Sequence, residues 1–264
     1  MYLCPLCQQP LYLNTKQYQC TNRHSFDIAR EGYVNLLPVQ HKNSKDPGDN
    51  KEMMQARRDF LHAGWYAPLA QALTDSVTKL APDSLLDLGC GEGYYTAQLK
   101  RALPDAQVFG VDISKAAIKF AAKANSNIQF SVASAFQLPF ADHSFAAITR
   151  IYAPSKPEEL LRLLKPQGHL ITISPGPQHL VEIKQAVYEN VQLHSNAVAD
   201  IPALTHLTRQ RLQFTLSFEK ADDVSALIQM VPLAWKFSAG QKQQFAATLP
   251  DISVDFLLDL YQKA

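Results

Sequence analysis

The stretch that most restricts the fold runs from Ser84 to Asp112, SLLDLGCGEGYYTAQLKRALPDAQVFGVD. Ser84 to Leu88 has the length and apolar content of a buried strand. Asp87, Gly89, Gly91 and Gly93 then make a D-x-G-x-G-x-G turn. From Tyr94 to Leu103 the apolar residues Tyr95, Leu99, Ala102 and Leu103 recur with helical spacing. Gln107 to Val111 reads as a second strand, closed by Asp112. Strand, glycine turn, helix, strand and acidic tip form the nucleotide-binding half of a doubly wound α/β sheet. Gly89, Gly91 and Gly93 let the chain turn sharply and keep a Cβ from standing between main chain and ligand. Asp112 can accept hydrogen bonds from two neighbouring ribose hydroxyls.

The turn also restricts the ligand. A dinucleotide presents a pyrophosphate to a free helix N-terminus, and its usual fingerprint is G-x-G-x-x-G. Here the third glycine comes one residue early, and a carboxylate leads the turn. That suits a cationic ligand better than a polyanion. S-adenosylmethionine carries an ammonium, a sulfonium and a ribose, and no phosphate. The pattern resembles the first motif of class I methyltransferases, with Asp112 in the place of their ribose-binding acid. The plain alternative is a tight strand-to-helix turn with no ligand.

A second constellation lies in the first 24 residues. Cys4 and Cys7 form C-P-L-C, and Cys20 and His24 form C-x-x-x-H, with twelve residues between the pairs. Two close pairs on tight turns can reach the corners of one tetrahedron, and thiolates with imidazole favour Zn2+. The interval suits one hairpin, and so small a segment needs a metal to fold. Four protein ligands close the shell, so the zinc is structural. Cys90, inside the glycine turn, reads as a packing residue.

Between these features, Gln40 to Gly48 reads as a linker. Asp49 can cap a helix carrying Met53, Met54, Ala56, Phe60 and Leu61 as its apolar stripe. Gly64 breaks that helix, and Pro68 opens another that ends before Pro82. Beyond Asp112, the spacing predicts a helix from Lys115 to Ala124 capped by Ser114. Strands follow at 127–132, 146–151 and 168–174, with a helix over 154–165. The βαβ alternation implies a parallel sheet with helices on both faces. Ligands then bind at the carboxyl ends of the strands, where Asp87, Asp112, Ser134, Tyr152 and Ser174 fall. Ser134 is the candidate for a polar contact to adenine. Leu180 to Tyr188 looks helical and Leu212 to Phe218 alternates like a strand. The segments at 222–230 and 237–247 look helical, and Val254 to Tyr261 fits a strand or a helix. An antiparallel closing pair would complete a seven-stranded, mostly parallel sheet.

The divisions expected are residues 1–37 as a zinc-binding module, 38–80 as linker and connecting helices, and 81–264 as a methyltransferase domain. The formal net charge of +1 neither demands nor excludes a polyanionic partner. No apolar run approaches the roughly 18 residues of a membrane span, and no leader pattern opens the chain. Four cysteines in a chain of cytoplasmic character read as ligands or buried thiols before disulfides.

Taken together, CPLC with CTNRH, EGYVNLLPVQHK, DPGDNKEMMQARRDFL, DLGCGEGYYT, RIYAPS and PGPQHL resemble, in order, the zinc-containing bacterial 23S ribosomal RNA (guanine-N1)-methyltransferases. The resemblance covers residues 4 to 180 and fades after about 190. It implies a class I (Rossmann-like) methyltransferase acting in the cytoplasm as a homodimer, with the zinc module helping to hold an RNA hairpin. It also implies cofactor contacts from Tyr66, Gly91, Glu92 and His179. The activated methyl needs positioning more than a strong catalyst. Guanine N1, however, carries a proton at neutral pH, so a general base is expected. The N-P-P-Y type motif of many amino-group methyltransferases is replaced by Arg150-Ile-Tyr152-Ala-Pro154. Tyr152 is therefore a candidate to stack on or hydrogen-bond the base, and Arg150 to stabilise charge on its O6. Asp49 is a further candidate base. Two competing readings are a small-molecule methyltransferase and a zinc-ribbon RNA-binding protein with an inactive methyltransferase domain.

Overall fold

The computed structural model describes residues 2–38 and 51–264. The chain begins with a three-stranded antiparallel sheet of β1 (Tyr12–Asn14), β2 (Gln17–Gln19) and β3 (Ser25–Asp27). A two-residue strand, β4 (Val34–Asn35), follows. Helix α1 (Lys51–His62) ends before Gly64, whose φ is +87°, and α2 (Ala67–Leu80) starts with Pro68 in its first turn. The break and the proline act as the sequence predicts. The linker over 40–48 and the capping residue Asp49 lie outside the described residues.

The large sheet then alternates with helices. Its elements are β5 (Ser84–Leu88), α3 (Tyr94–Ala102), β6 (Gln107–Asp112), α4 (Lys115–Ala124), β7 (Gln129–Val132), β8 (Phe145–Ile151), α5 (Pro157–Leu163) and β9 (Leu164–Pro175). The chain closes with α6 (Val181–Val187), β10 (Leu204–Leu216), α7 (Ala221–Met230), a 3-10 turn at Ala234–Lys236, α8 (Ala239–Ala247) and β11 (Ile252–Lys263). Ser114 caps α4 by accepting the Ala117 N–H, as its side-chain chemistry suggests. The strand order is β10-β11-β9-β8-β5-β6-β7-β4. From β9 to β4 all neighbours are parallel, and β11 runs antiparallel to both β9 and β10.

Two expectations change. Among the described residues the sheet has eight strands rather than seven, because Val34 and Asn35 pair with Ser131 and Val132 at its edge. A two-residue strand has no periodicity to reveal it. The stretch from Val254 to Tyr261, open between strand and helix, lies in a twelve-residue strand. It is buried along nearly its whole length, which erases the alternation that marks a half-exposed strand.

Side-chain parity splits the core in two. Leu85, Val108 and Ile171 face one layer, filled by α1 to α4, α6 and α7. Leu86, Leu88, Phe109 and Val111 face the other. On that second face the zinc-ligand segment takes its place beside α5. Tyr2, 4% exposed, stacks on Phe140 at 5.0 Å and stands edge-on to Phe109 at 5.8 Å. The N-terminal segment is thus packed against the sheet itself.

Candidate active site and metal centre

The four predicted metal ligands meet. Each is delivered by a tight turn: Gln8 N–H donates to Cys4 O, and Arg23 N–H donates to Cys20 O. Gln8 and Arg23 take φ of +59° and +64° there. The ligand atoms of Cys4, Cys7, Cys20 and His24 all lie within 4.8 Å of one another. His24 Nδ1 is 3.5 Å from Cys4 Sγ and from Cys20 Sγ, and Cys7 Sγ is 3.7 Å from Cys20 Sγ. A tetrahedron with Zn–S near 2.3 Å and Zn–N near 2.05 Å has edges of about 3.8 Å for S–S and about 3.6 Å for S–N. The donor set and its spacing therefore fit Zn2+ with a closed shell. Cys90 stays apart, buried beside Gly110 with its thiol pushed well up by burial.

A cavity of about 670 Å³ opens at the carboxyl ends of β5, β6, β7, β8 and β9. The glycine turn forms its floor. Gly89 has φ +74°, and a Cβ there would stand 2.4 Å from Ala153 Cβ. Only glycine lets the turn approach the loop after β8 so closely. Asp112 braces the turn: Oδ2 accepts the Gly91 N–H at 2.9 Å, and Oδ1 accepts the Ser114 N–H at 2.8 Å. Asp87 is 2% exposed. Its oxygens accept hydrogen bonds from Thr96 Oγ1 at 2.5 Å and Thr149 Oγ1 at 2.9 Å. Burial, partly countered by the two hydroxyls and reinforced by the Asp112 charge, pushes the Asp87 carboxyl up to about 6.

Tyr66, Asp87, Gly89, Gly91, Glu92, Asp112, Ser134, Tyr152 and His179 all line this one cavity. Gly93, at the N-terminus of α3, completes the turn at φ +85°. Ser134 Oγ accepts the Phe136 N–H. Three polar atoms of residues that line it are buried with no hydrogen-bond partner among the described residues: Tyr66 Oη, Glu92 Oε1 and Lys184 Nζ. Buried polar atoms rarely go unpaired, and these three cluster on residues of one cavity. The set fits S-adenosylmethionine: acids for ribose and ammonium, an open glycine turn, and apolar walls from Met54 and Leu61.

At the β8 end, Tyr152 is half exposed at φ +53°, a conformation a bulky residue rarely adopts. His179 links it to the core. The Asp255 N–H donates to His179 Nδ1 at 3.4 Å, and Nε2 faces Tyr152 Oη at 3.4 Å. Burial, with His194 and Lys184 nearby, drives His179 down to about 3, so the ring is neutral. With Nδ1 accepting, the proton sits on Nε2 and points at the tyrosine oxygen. That frees the phenol hydrogen for a ligand.

Arg150 is not brought together with Tyr152 in this space. It follows Thr149, whose side chain turns to Asp87, so the strand sends Arg150 to the other face. There it lines a separate cavity of about 250 Å³ with Arg209 and Asp259, and donates to Ser155 Oγ at 3.0 Å. Tyr152 borders both cavities. Ser174 also opens on the smaller one. The adjacent pair on α1 divides as well: Arg57 donates to Met230 O on the cavity wall, while Arg58 lies 5.0 Å over the Phe120 ring. Sequence reasoning missed Lys184, His194 and the wall at 230–233. A lone lysine in a short amphipathic helix carries no signal that it turns inward.

Comparison with known proteins agrees with both halves. The RlmA N-terminal zinc-ribbon family matches residues 2–45, and a methyltransferase-domain family matches residues 81–229. The chain is 32% identical over 258 residues to the 23S rRNA (guanine(748)-N(1))-methyltransferase of Streptomyces fradiae, covering 94% of this chain and 91% of that one. It is 33% identical over 252 residues to YxjB of Bacillus subtilis (strain 168), covering 89% and 87%. Among solved structures, MccD overlays with a TM-score of 0.50 at 20% identity, over 75% of this chain and 98% of that one, a likeness of fold.

Proposed function

The chain belongs to the 23S rRNA (guanine-N1)-methyltransferase family, and from that premise we propose that it transfers a methyl group from S-adenosylmethionine to N1 of one guanine in a hairpin of 23S rRNA. The observation that carries the reading is end-to-end correspondence: the zinc ribbon and the cavity at the strand tips occur together, in the order and over nearly the full length of such an enzyme. A small-molecule methyltransferase has no evident use for the ribbon. An inactive RNA binder has no evident use for an open glycine turn with unpaired polar atoms around it.

In this reading Asp112 takes the ribose hydroxyls, with Glu92 and Ser134 on the same side of the turn. Asp87, Gly89, Gly91 and Gly93 surround the amino-acid part, and Tyr66 and His179 close over it. S-adenosylmethionine supplies a methyl already activated on a sulfonium. The protein's task is to present guanine N1 in line with it. Tyr152 Oη, fed by the His179 Nε2–H, donates to the base at its rim. Arg150, held by Ser155 in the neighbouring cavity, orders the loop that carries Tyr152. A guanine paired or stacked in a hairpin must swing out to reach this depth. Residues 1–37 act as the RNA-recognition module, 38–80 connect, and 81–264 carry the chemistry. The enzyme works as a cytoplasmic homodimer, a reading supported by the family resemblance. No helix among the described residues is long and apolar enough to cross a membrane.

The test is direct. Full-length, zinc-loaded protein is incubated with labelled S-adenosylmethionine and 23S rRNA lacking the modification, and the labelled base is mapped. Label on N1 of one guanine is the expected outcome. Label confined to small molecules favours the first competing reading, and RNA bound without label favours the second. Sedimentation of the same sample reads the dimer.

A further inference from the structure

Methylation at guanine N1 needs a group that removes a proton, and the order of the strands says where it must stand. In the sequence β9-β8-β5-β6-β7, the glycine turn after β5 lies in the middle. Asp112 and Ser134, at the tips of β6 and β7, mark the donor side. The acceptor base must therefore enter over β8 and β9. The cavity wall on that side is made by Tyr152, Pro175, His179, Leu180, Lys184 and His194.

Of these, Lys184 has no place in the fold's own bonding. Its side chain is buried, 8% exposed, on the inner face of α6 beside Ile183. Its Nζ is itself buried and has no hydrogen-bond partner among the described residues. The ionisable groups facing that region do not satisfy it. His179 and His194 are both held toward their neutral forms by burial, so neither brings a counter-charge. Tyr152, a phenol whose ordinary value is about 10, stays protonated at neutral pH. From β11, the Asp255 carboxylate is taken by Arg211, with contacts of 2.8 Å and 2.7 Å, and by the Gln178 N–H. On α6 itself, Glu182 turns away to Ser253. A buried ammonium without a carboxylate is costly, and such a site favours the free amine. Burial accordingly pulls Lys184 below the usual lysine range.

We propose that Lys184 is the general base that takes the N1 proton of the target guanine, a role that rests on the function proposed above. The N1 proton passes to the Nζ lone pair. The pair freed on N1 forms the new bond to the methyl carbon as the carbon–sulfur bond breaks, its electrons staying on sulfur. Positive charge leaves the sulfonium and ends on the Lys184 ammonium, so the site's net charge is unchanged. Tyr152, held by the His179 Nε2–H, then acts as the neutral donor that orients the base.

The full-length protein, Lys184→Met and Lys184→Arg are compared with rRNA fragment and saturating donor. Both variants should bind donor and RNA within about threefold of the parent and lose about 100-fold or more in kcat, the range for a general base. Arginine keeps the charge and cannot act as a base, so its failure separates proton removal from charge stabilisation. Parent kcat should rise with pH until the amine is free. A readout independent of turnover is NMR of lysine-15N-labelled, donor-free protein. The Lys184 signal, identified by its loss in Lys184→Arg, should titrate at lower pH than the exposed lysines. An arginine variant as active as the parent, a kcat loss under tenfold in Lys184→Met, or titration alongside exposed lysines overturns the assignment. If Lys184→Met does not fold, the titration decides alone. N1 label in parent and variants alike sinks this assignment and leaves the function standing; no N1 label in the parent sinks both.

Discussion

Asp87→Asn isolates the cost of keeping a carboxylate at the centre of the sheet. In the folded protein the Asp87 carboxyl is raised from 3.8 to about 6. The unfolded chain therefore releases this proton near 3.8 and the native protein only near 6. Between those values the native state holds more protons, so this group's effect is to lower stability as pH rises through the window. Below it there is no penalty; above it the penalty is complete. At 1.36 kcal/mol per pH unit the full effect is about 3 kcal/mol. Asparagine has the same shape and no titration, and its amide can accept from one threonine hydroxyl and donate to the other. Urea unfolding of both proteins at pH 4, 5, 6 and 7, without donor, gives the difference between them at each pH, in which other titrating groups cancel. That difference should move by about 2.4 kcal/mol in favour of Asn from pH 4 to 7, because a small part of the penalty is already present at pH 4. A difference constant within about 0.5 kcal/mol, or one moving the other way, refutes the reasoning. The same ionisation has a functional sign. A cationic donor favours the charged carboxylate, so parent affinity should tighten from pH 5 to 7 while Asp87→Asn stays weak and flat. The carboxylate would then be a destabilising group in the empty protein whose charge the bound cation compensates.

Gly89→Ala puts a Cβ 2.4 Å from Ala153 Cβ at a φ of +74°, which should cost about 1–3 kcal/mol of stability and weaken donor binding measured by calorimetry; an unchanged Kd would mean the turn does not shape the site. Stripping the metal should release one zinc per chain and lower Tm markedly, since structural zinc contributes on the order of 10 kcal/mol and Tyr2 ties the ribbon to Phe109 and Phe140. A metal-free protein with undiminished Tm by calorimetry would show that the four ligands are packing residues.

What could be read from the sequence divides along a physical line. The donor half of the site is local: Asp87 to Gly93 and Asp112 are close in sequence, and a turn followed by a helix fixes their geometry with little help from elsewhere. The metal ligands are legible for the same reason, each pair riding on its own turn. The acceptor half is tertiary. Tyr152 and Arg150 look like partners because they are two residues apart. Yet Tyr152 lies just past the last strand residue, in a left-handed conformation, and borders both cavities, while Arg150 obeys the strand and lines only the smaller one. Strand parity alone would have put both on one side. Lys184 shows the limit more sharply. It stands next to Ile183 in VEIKQAV, where a lysine ordinarily belongs to the solvent face. It is buried where α6 packs on β11 and the wall it shares with His194 closes the cavity, and β11 lies far from it in the sequence. A methyl donor of fixed chemistry can be recognised by a short turn. The base that receives the methyl must be met by groups from several distant segments, so catalytic identity on that side is decided by packing.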